Sequence, residues 1–272
     1  MRVALKFFPT VFCLVSSIFY SSYLSAKSAQ VAIVIDDMGY RYTDKNALSL
    51  PGNVTYAILP HTTYGKKLAI EAQAKAHDVL IHVPMEANNR KFLGPGALTS
   101  AMNEEAIHQS LADSFEEIPF AIGINNHMGS YLTKLYKPMT WTMGFLKQRE
   151  LFFLDSVTSP KSQAIQAARD VGVPVRARHI FLDNQLTDAY ITQQFNELIR
   201  FAQKKQTAIA IAHPHPETVK ALNKLIPTLR QHNIELVSLS SLYAAQLLVK
   251  SNAKEKVDIN ISATSSTNSP NE

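Results

Sequence analysis

Cysteine is nearly absent: of 272 residues only Cys13 carries a thiol. It falls in an opening segment where Met1-Arg-Val-Ala-Leu-Lys6 is cationic, residues 7–19 are mostly apolar, and Leu24-Ser-Ala26 offers a small residue for cleavage. That layout predicts a secretory signal peptide over residues 1–26. Cleavage after Ala26 leaves a chain without thiols, which excludes disulfides and thiolate metal ligands and leaves the hydrophobic core to stabilise the fold alone. No small-residue run of the lipoprotein kind precedes Cys13. A long apolar run is lacking as well. Residues 7–19 are broken by Pro9, Ser16 and Ser17 and fall short of the roughly 20 residues a membrane span needs. The expectation is an exported protein with no stable membrane span after cleavage, an uncleaved N-terminal anchor being the alternative. Nor is there a large excess of charge. The formal +5 falls to +3 when Arg2 and Lys6 leave, and it is spread along the chain, so nucleic acid is not an expected partner. No internal repeat is visible.

From residue 31 onward, short β-rich runs alternate with longer amphipathic ones. The expected strands are 31–35, 54–59, 79–83, 120–124, 151–154, 173–175, 207–212 and 235–239, and the expected helices are 64–76, 103–116, 137–149, 161–171, 187–205 and 217–231. Strands alternating with helices imply parallel βαβ units. About eight such units fit a single α/β domain over residues 27–250, a distorted (β/α) barrel of seven or eight strands. A doubly wound open sheet is the second choice. Residues 251–272, rich in Ser, Thr, Asn and Lys without a hydrophobic stripe, read as a disordered polar tail.

In a parallel barrel the functional groups sit at the C-terminal ends of the strands. Here those ends carry Asp36-Asp37, His61, His82, Asn125-Asn126-His127, Asp155-Ser156, Asp183, and His213 with His215. Each has an ordinary structural reading: an Asp after a strand is often a helix cap or turn former, and a lone His is often a hydrogen-bonded structural residue. His108 and His232 lie among charged neighbours and are expected to be solvated, and His77 to be structural. The convergence of acids, amides and imidazoles on one end of the barrel is what points to a site. Carboxylate plus imidazole without thiolate is the ligand set for zinc or a similar divalent ion. In such a site one carboxylate ligates, another takes a proton from water, and a histidine protonates the leaving group.

In order along the chain, "VAIVIDDMGY", "AHDVLIHVPME", "GPGALT", "GINNHMGSYLT", "LFFLDSVTSPKSQA", "IFLDN" and "AIAIAHPHPETVKAL" resemble the divergent polysaccharide deacetylases. These are bacterial exported proteins related to the carbohydrate esterases that remove N-acetyl groups from chitin-like and peptidoglycan sugars. The resemblance runs from about residue 30 to residue 248. It implies a distorted (β/α) barrel, a divalent metal, expected to be zinc, a polysaccharide or oligosaccharide substrate and a periplasmic location. By carry-over, Asp36 is the expected base and Asp37 a metal ligand. The relatives' second motif has two histidines four positions apart; here the first is His82, but Glu86 stands in place of the second. His127 is the expected substitute, giving Asp37, His82 and His127 as ligands. His213 is the expected general acid, oriented by Asp155. Asn126, Gly129, Ser130, Glu86 and His215 are expected around the substrate, with Asn126 and amides near Gly129 holding the oxyanion.

The implied activity is hydrolysis of a non-peptide carbon–nitrogen bond, with release of acetate from an envelope glycan. Two readings compete with it. One is a catalytically silent barrel that binds glycan or docks onto an envelope protein. The other is phosphate-ester cleavage, disfavoured because no Arg or Lys accompanies the expected ligands, although Arg176 and Arg178 lie close in sequence to the sixth strand.

Overall fold

A computed structural model of the chain describes residues 28–88 and 91–244; the expected signal peptide and polar tail lie outside them. All but one of the β-rich runs are followed by a segment that carries the chain back to the same end, so the strands pair in parallel. They are β1 (Ala29–Met38), β2 (Thr55–Ile58), β3 (Val79–Met85), β4 (Gly123–Met128), β5 (Phe152–Asp155), β6 (Val175–Ala177), β7 (Ile180–Phe181) and β8 (Thr207–Ala212). Their order is β6-β5-β4-β3-β2-β1-β8-β7, and the short β9 (Ile234–Leu236) pairs with the start of β1. Outside the sheet lie α1 (Gly65–Ala74), α2 (Glu104–Glu117), α3 (Tyr136–Gln148), α4 (Ala164–Val171), α5 (Asp188–Lys205) and α6 (Pro216–Leu225). The eight strands curl into a half-barrel within one α/β domain, a distorted (β/α) barrel. Residues 178–179 join β6 directly to β7.

β8 coincides with its expected limits, whereas β1 runs three residues past them and so contains both acids. The two-residue β7 has no expected counterpart, being too short for periodicity to register. The expected helix over 217–231 divides into α6 and a 3₁₀ segment, Ile226–His232, where Pro227 can donate no backbone hydrogen bond. No helix of the described residues is long and apolar enough to cross a membrane.

The pleat sorts the strand residues into two cores. Val31, Ile33 and Ile35 of β1, Ile81 and Val83 of β3, Ile124 of β4 and Phe153 of β5 pack in the larger cluster with the helices. The alternate residues Ala32, Val34, Leu80, Leu154, Ile209 and Ile211 fill the barrel interior with Val237, Leu239, Leu242 and Tyr243 from beyond β9. Successive side chains of a strand point to opposite faces. The interior parity therefore continues from Val34 to Asp36, from Leu80 to His82 and from Ile211 to His213, while on β4 it falls on Asn125 and His127. These polar side chains form the top layer of the barrel interior.

Candidate metal centre

His82 and Asn125 are register partners on β3 and β4. Neighbours at one level of a parallel sheet face the same side, and the Asn125 amide duly meets the His82 ring. The Asn125 Nδ2 donates to Asp36 Oδ1 at 2.8 Å, which leaves its Oδ1 to accept from His82 Nδ1–H, also at 2.8 Å. The tautomer of His82 follows: Nδ1 carries the proton, so Nε2 faces inward. That nitrogen lies 3.1 Å from Asp37 Oδ1 and 3.2 Å from His127 Nδ1, and His127 Nδ1 is 2.7 Å from the same Asp37 oxygen.

Asp37 belongs by parity to the helix side of β1. It reaches the barrel mouth because its backbone is left-handed, φ 59°, at a register shift between β1 and β2. Asp tolerates that conformation better than most residues, though at a cost in strain. The adjacent acids thus share one site: Asp36 by the pleat and Asp37 by the irregularity.

Asp37, His82 and His127 are the one group of three or more metal-capable residues among the described residues, with their ligand atoms all within 4.8 Å of one another. Donors 2.0–2.1 Å from a tetrahedral zinc would sit about 3.4 Å apart, close to the separations here. With Nδ1 of His82 committed to Asn125, the Nε2 lone pair would face a carboxylate oxygen, an arrangement that needs a proton or a cation between them. The residues present fit a divalent metal.

The electrostatics agree. Burial pushes the Asp37 carboxyl up, but hydrogen bonds from His127 and His82 outweigh it and hold the group below the usual carboxylate range. Burial pushes His82 down, yet Asp36 and Asp37 together raise it above the ordinary histidine value. The Asp36 carboxyl, 2 % exposed, is raised by burial against the pull of His82 and His213.

His213 sits across the mouth, its Nε2 3.9 Å from Asp37 Oδ2. Its Nδ1–H donates to Asp183 Oδ1 at 3.0 Å and its backbone N–H to Asp183 Oδ2 at 2.7 Å, while Thr218 donates to the same carboxylate at 2.9 Å. Burial would lower the His213 pKa, but the Asp183 bond and charge, with help from Asp37 and Asp36, raise it to about 9. Asp37 and His213 border an open cavity of about 310 Å³ with Tyr40, Arg41, Asp44 and His215. A larger cavity of about 600 Å³, beside Pro51, Gly52, Ile226 and Leu236, gathers no comparable set of groups.

A family model described as divergent polysaccharide deacetylase matches residues 33–243. The chain belongs to that family. It is 38 % identical over 216 residues to the uncharacterized protein YibQ of Escherichia coli, spanning 79 % of this chain and 67 % of that one. An uncharacterized protein of Haemophilus influenzae is 34 % identical over 250 residues, 92 % of this chain and 89 % of its own. The crystal structure of an uncharacterized protein from Agrobacterium tumefaciens superposes with a TM-score of 0.77 at 25 % identity, covering 80 % of this chain and 90 % of that one.

Within this family member several expected roles fall to other residues. Asp155 does not orient His213. It has outward parity, and its carboxylate accepts from Ser162 Oγ at 2.7 Å and Val157 N–H at 2.8 Å, with its pKa raised by burial. Asp183 takes that role. Asn126 also has outward parity: its Nδ2 donates to the Met128 carbonyl and its Oδ1 accepts from Ser156 N–H, so it ties two loops together instead of facing an oxyanion. The Gly129 N–H is engaged by the Met85 carbonyl at 3.0 Å. Ser130 Oγ accepts from Asn88 N–H. Glu86 is carried off by the loop after β3, where its side chain accepts from Ser100 N–H at 2.6 Å, and it is His127 that stands beside His82. His215 borders the cavity beside His213. His108, expected to be solvated, is half-buried, donating to the Trp141 carbonyl and packing on Phe145. Asn125 and Asp183 had been visible only as polar strand ends; their pleat parity was the signal that separates them from Asn126 and Asp155.

Proposed function

We propose that the chain is a metal-dependent hydrolase that removes N-acetyl groups from an envelope polysaccharide or oligosaccharide in the periplasm. The observation that carries this reading is the convergence of Asp37, His82 and His127 on one point beside the buried Asp36 and the paired His213. Asp37 Oδ1, His82 Nε2 and His127 Nδ1 would hold the ion. A divalent cation held there lowers the pKa of water and polarises an acetamide carbonyl.

The remaining steps belong to protein groups. Asp36 Oδ2 lies 3.7 Å from His82 Nε2, its other oxygen fixed by Asn125, so one carboxylate oxygen faces the centre to accept a proton from the attacking water. Burial raises its pKa above the ordinary carboxylate value and so makes it a stronger base. His213, proton-loaded at neutral pH through Asp183, presents Nε2–H to the nitrogen of the departing amine. Acetate and the free amino sugar are the products.

The test is acetate release from N-acetylglucosamine oligomers and peptidoglycan by zinc-loaded protein, together with elemental analysis and zinc titration. Asp36→Asn should retain zinc and lose on the order of 10²–10⁴ in rate, the scale of a general base. Asn125→Ala should weaken zinc binding by about 10–100-fold, as expected for a group that orients a ligand. Protein that binds glycan but holds no stoichiometric metal and releases no acetate would overturn the reading in favour of a glycan-binding scaffold.

A further inference from the structure

Lysines and apolar groups share one outer face of the molecule. The chain leaving β1 turns through a 3₁₀ segment, Tyr42–Ser49, that packs beside α1: Lys75 Nζ donates to the Leu48 carbonyl at 2.9 Å, and the Tyr42 and Tyr64 rings lie 5.8 Å apart. Tyr42 is nevertheless 49 % exposed. Lys45 Nζ donates to its hydroxyl at 2.8 Å and stands 3.9 Å over its ring, and Lys67 Nζ stands 5.6 Å from the same ring. One turn along α1, on the face of Lys66 and Lys67, Ile70 is also 49 % exposed. The acids nearby do not balance these cations. Asp44 is buried, its carboxylate accepting from the Gly39 and Arg41 N–H groups. None of Lys45, Lys66 and Lys67 forms an ion pair among the described residues. The Lys45 hydrogen bond and charge, with the Lys67 charge, hold the Tyr42 hydroxyl below the ordinary tyrosine value against the opposing Glu71, so the field over this face is positive. Exposed apolar side chains set among lysines suit a lipid surface, where the apolar groups enter the headgroup boundary and the ammonium groups reach anionic headgroups.

We propose that this face, built by Tyr42, Lys45, Lys66, Lys67 and Ile70, docks the chain peripherally on an anionic lipid surface. Charge complementarity selects an anionic partner, and the exposed Ile70 selects lipid over a soluble polyanion, which would leave that aliphatic group in water. Lys45 and Tyr64 already occupy the Tyr42 ring, so a nucleic-acid base or a sugar ring could stack there only by displacing them. Docking of this kind needs no membrane-spanning helix. It is also independent of the metal centre: the deacetylase reading can fail while this face still binds.

The experiment is co-sedimentation of the full chain with vesicles of phosphatidylcholine alone and with vesicles of phosphatidylcholine and phosphatidylglycerol in equal amounts. The ratio of the two affinities is read, because any binding through the apolar residues 7–19 is common to both. At about fivefold per lysine, the wild type favours the anionic vesicles about 100-fold at low salt, and added salt reduces the preference. Lys66→Gln combined with Lys67→Gln lowers the ratio about 25-fold. Lys204→Gln combined with Lys205→Gln, which removes the same charge from the exposed end of α5, keeps the wild-type ratio. Ile70→Ser weakens binding to the anionic vesicles about fivefold. Equal affinity of the wild type for the two kinds of vesicle, or an equal loss in the two double variants, overturns the proposal. Binding of polyglutamate through Lys66 and Lys67, with Ile70→Ser silent on vesicles, overturns it in favour of an acidic polymer.

Discussion

Asn125 illustrates how one amide fixes the chemistry of its neighbours. By donating to Asp36 and accepting from His82, it holds the Asp36 carboxylate, the proposed base, in place and turns the His82 lone pair toward Asp37 and His127. Its importance was hard to read from "GINNHMGS", where two asparagines adjoin and only the pleat distinguishes them. Asp36, Asp37, His82, His127 and His213 were legible because each is a polar residue ending an apolar run. Asp155 was legible as a strand end and wrongly paired, because parity along β5 sends it away from the mouth. The Asp183–His213 pair leads to a pH prediction. A histidine whose folded pKa is about 9 against an ordinary 6.5 binds its proton more tightly when folded. Its contribution is therefore complete below pH 6.5 and is lost as pH rises through 9. The thermal midpoint of chelator-treated protein should fall across that window, and Asp183→Asn should flatten the fall.

At the level of elements, the turn that ends β4 places His127. Met128 and Gly129 have φ of 53° and 87°, and the turn is pinned on both sides: Thr158 Oγ1 donates to the Met128 carbonyl at 2.7 Å, and Gly129 N–H donates to Met85. A Cβ on Gly129 would lie 3.1 Å from both the Met85 Cβ and the Thr133 Cγ2. Gly129→Ala is therefore both strained and crowded, and it should destabilise by about 1–3 kcal/mol, measured as a lower urea midpoint at unchanged slope. The glycine of this turn was visible in the sequence as a candidate oxyanion donor. Its actual role, a left-handed residue whose amide closes the β3–β4 connection, needed the neighbouring strand. The same holds for Asp37: the sequence shows two adjacent acids at a strand end, and Asp37 reaches the mouth through the irregularity at which β1 and β2 change register.

Across the whole molecule, stability depends on closing the barrel from below. Leu242 and Tyr243 enter the interior from beyond β9, where the Tyr243 ring stacks on Phe152 at 3.7 Å and its hydroxyl donates to the Phe153 carbonyl at 2.6 Å. Leu242→Ala should cost about 2–5 kcal/mol in guanidinium unfolding, as a buried leucine leaving a cavity does. The alternation of strands and helices, and with it the barrel, was determined by the sequence, because apolar periodicity is local and each element carries its own pattern. The donor types were determined there too: a chain nearly free of cysteine, with carboxylates and imidazoles ending its strands, allows few other metal sites. Which side chains face one another was decided only by tertiary structure. His82 meets Asn125 across 43 positions and His213 meets Asp183 across 30. Such partners are set by strand register, pleat parity and one left-handed aspartate, properties of the assembled sheet that no single strand contains.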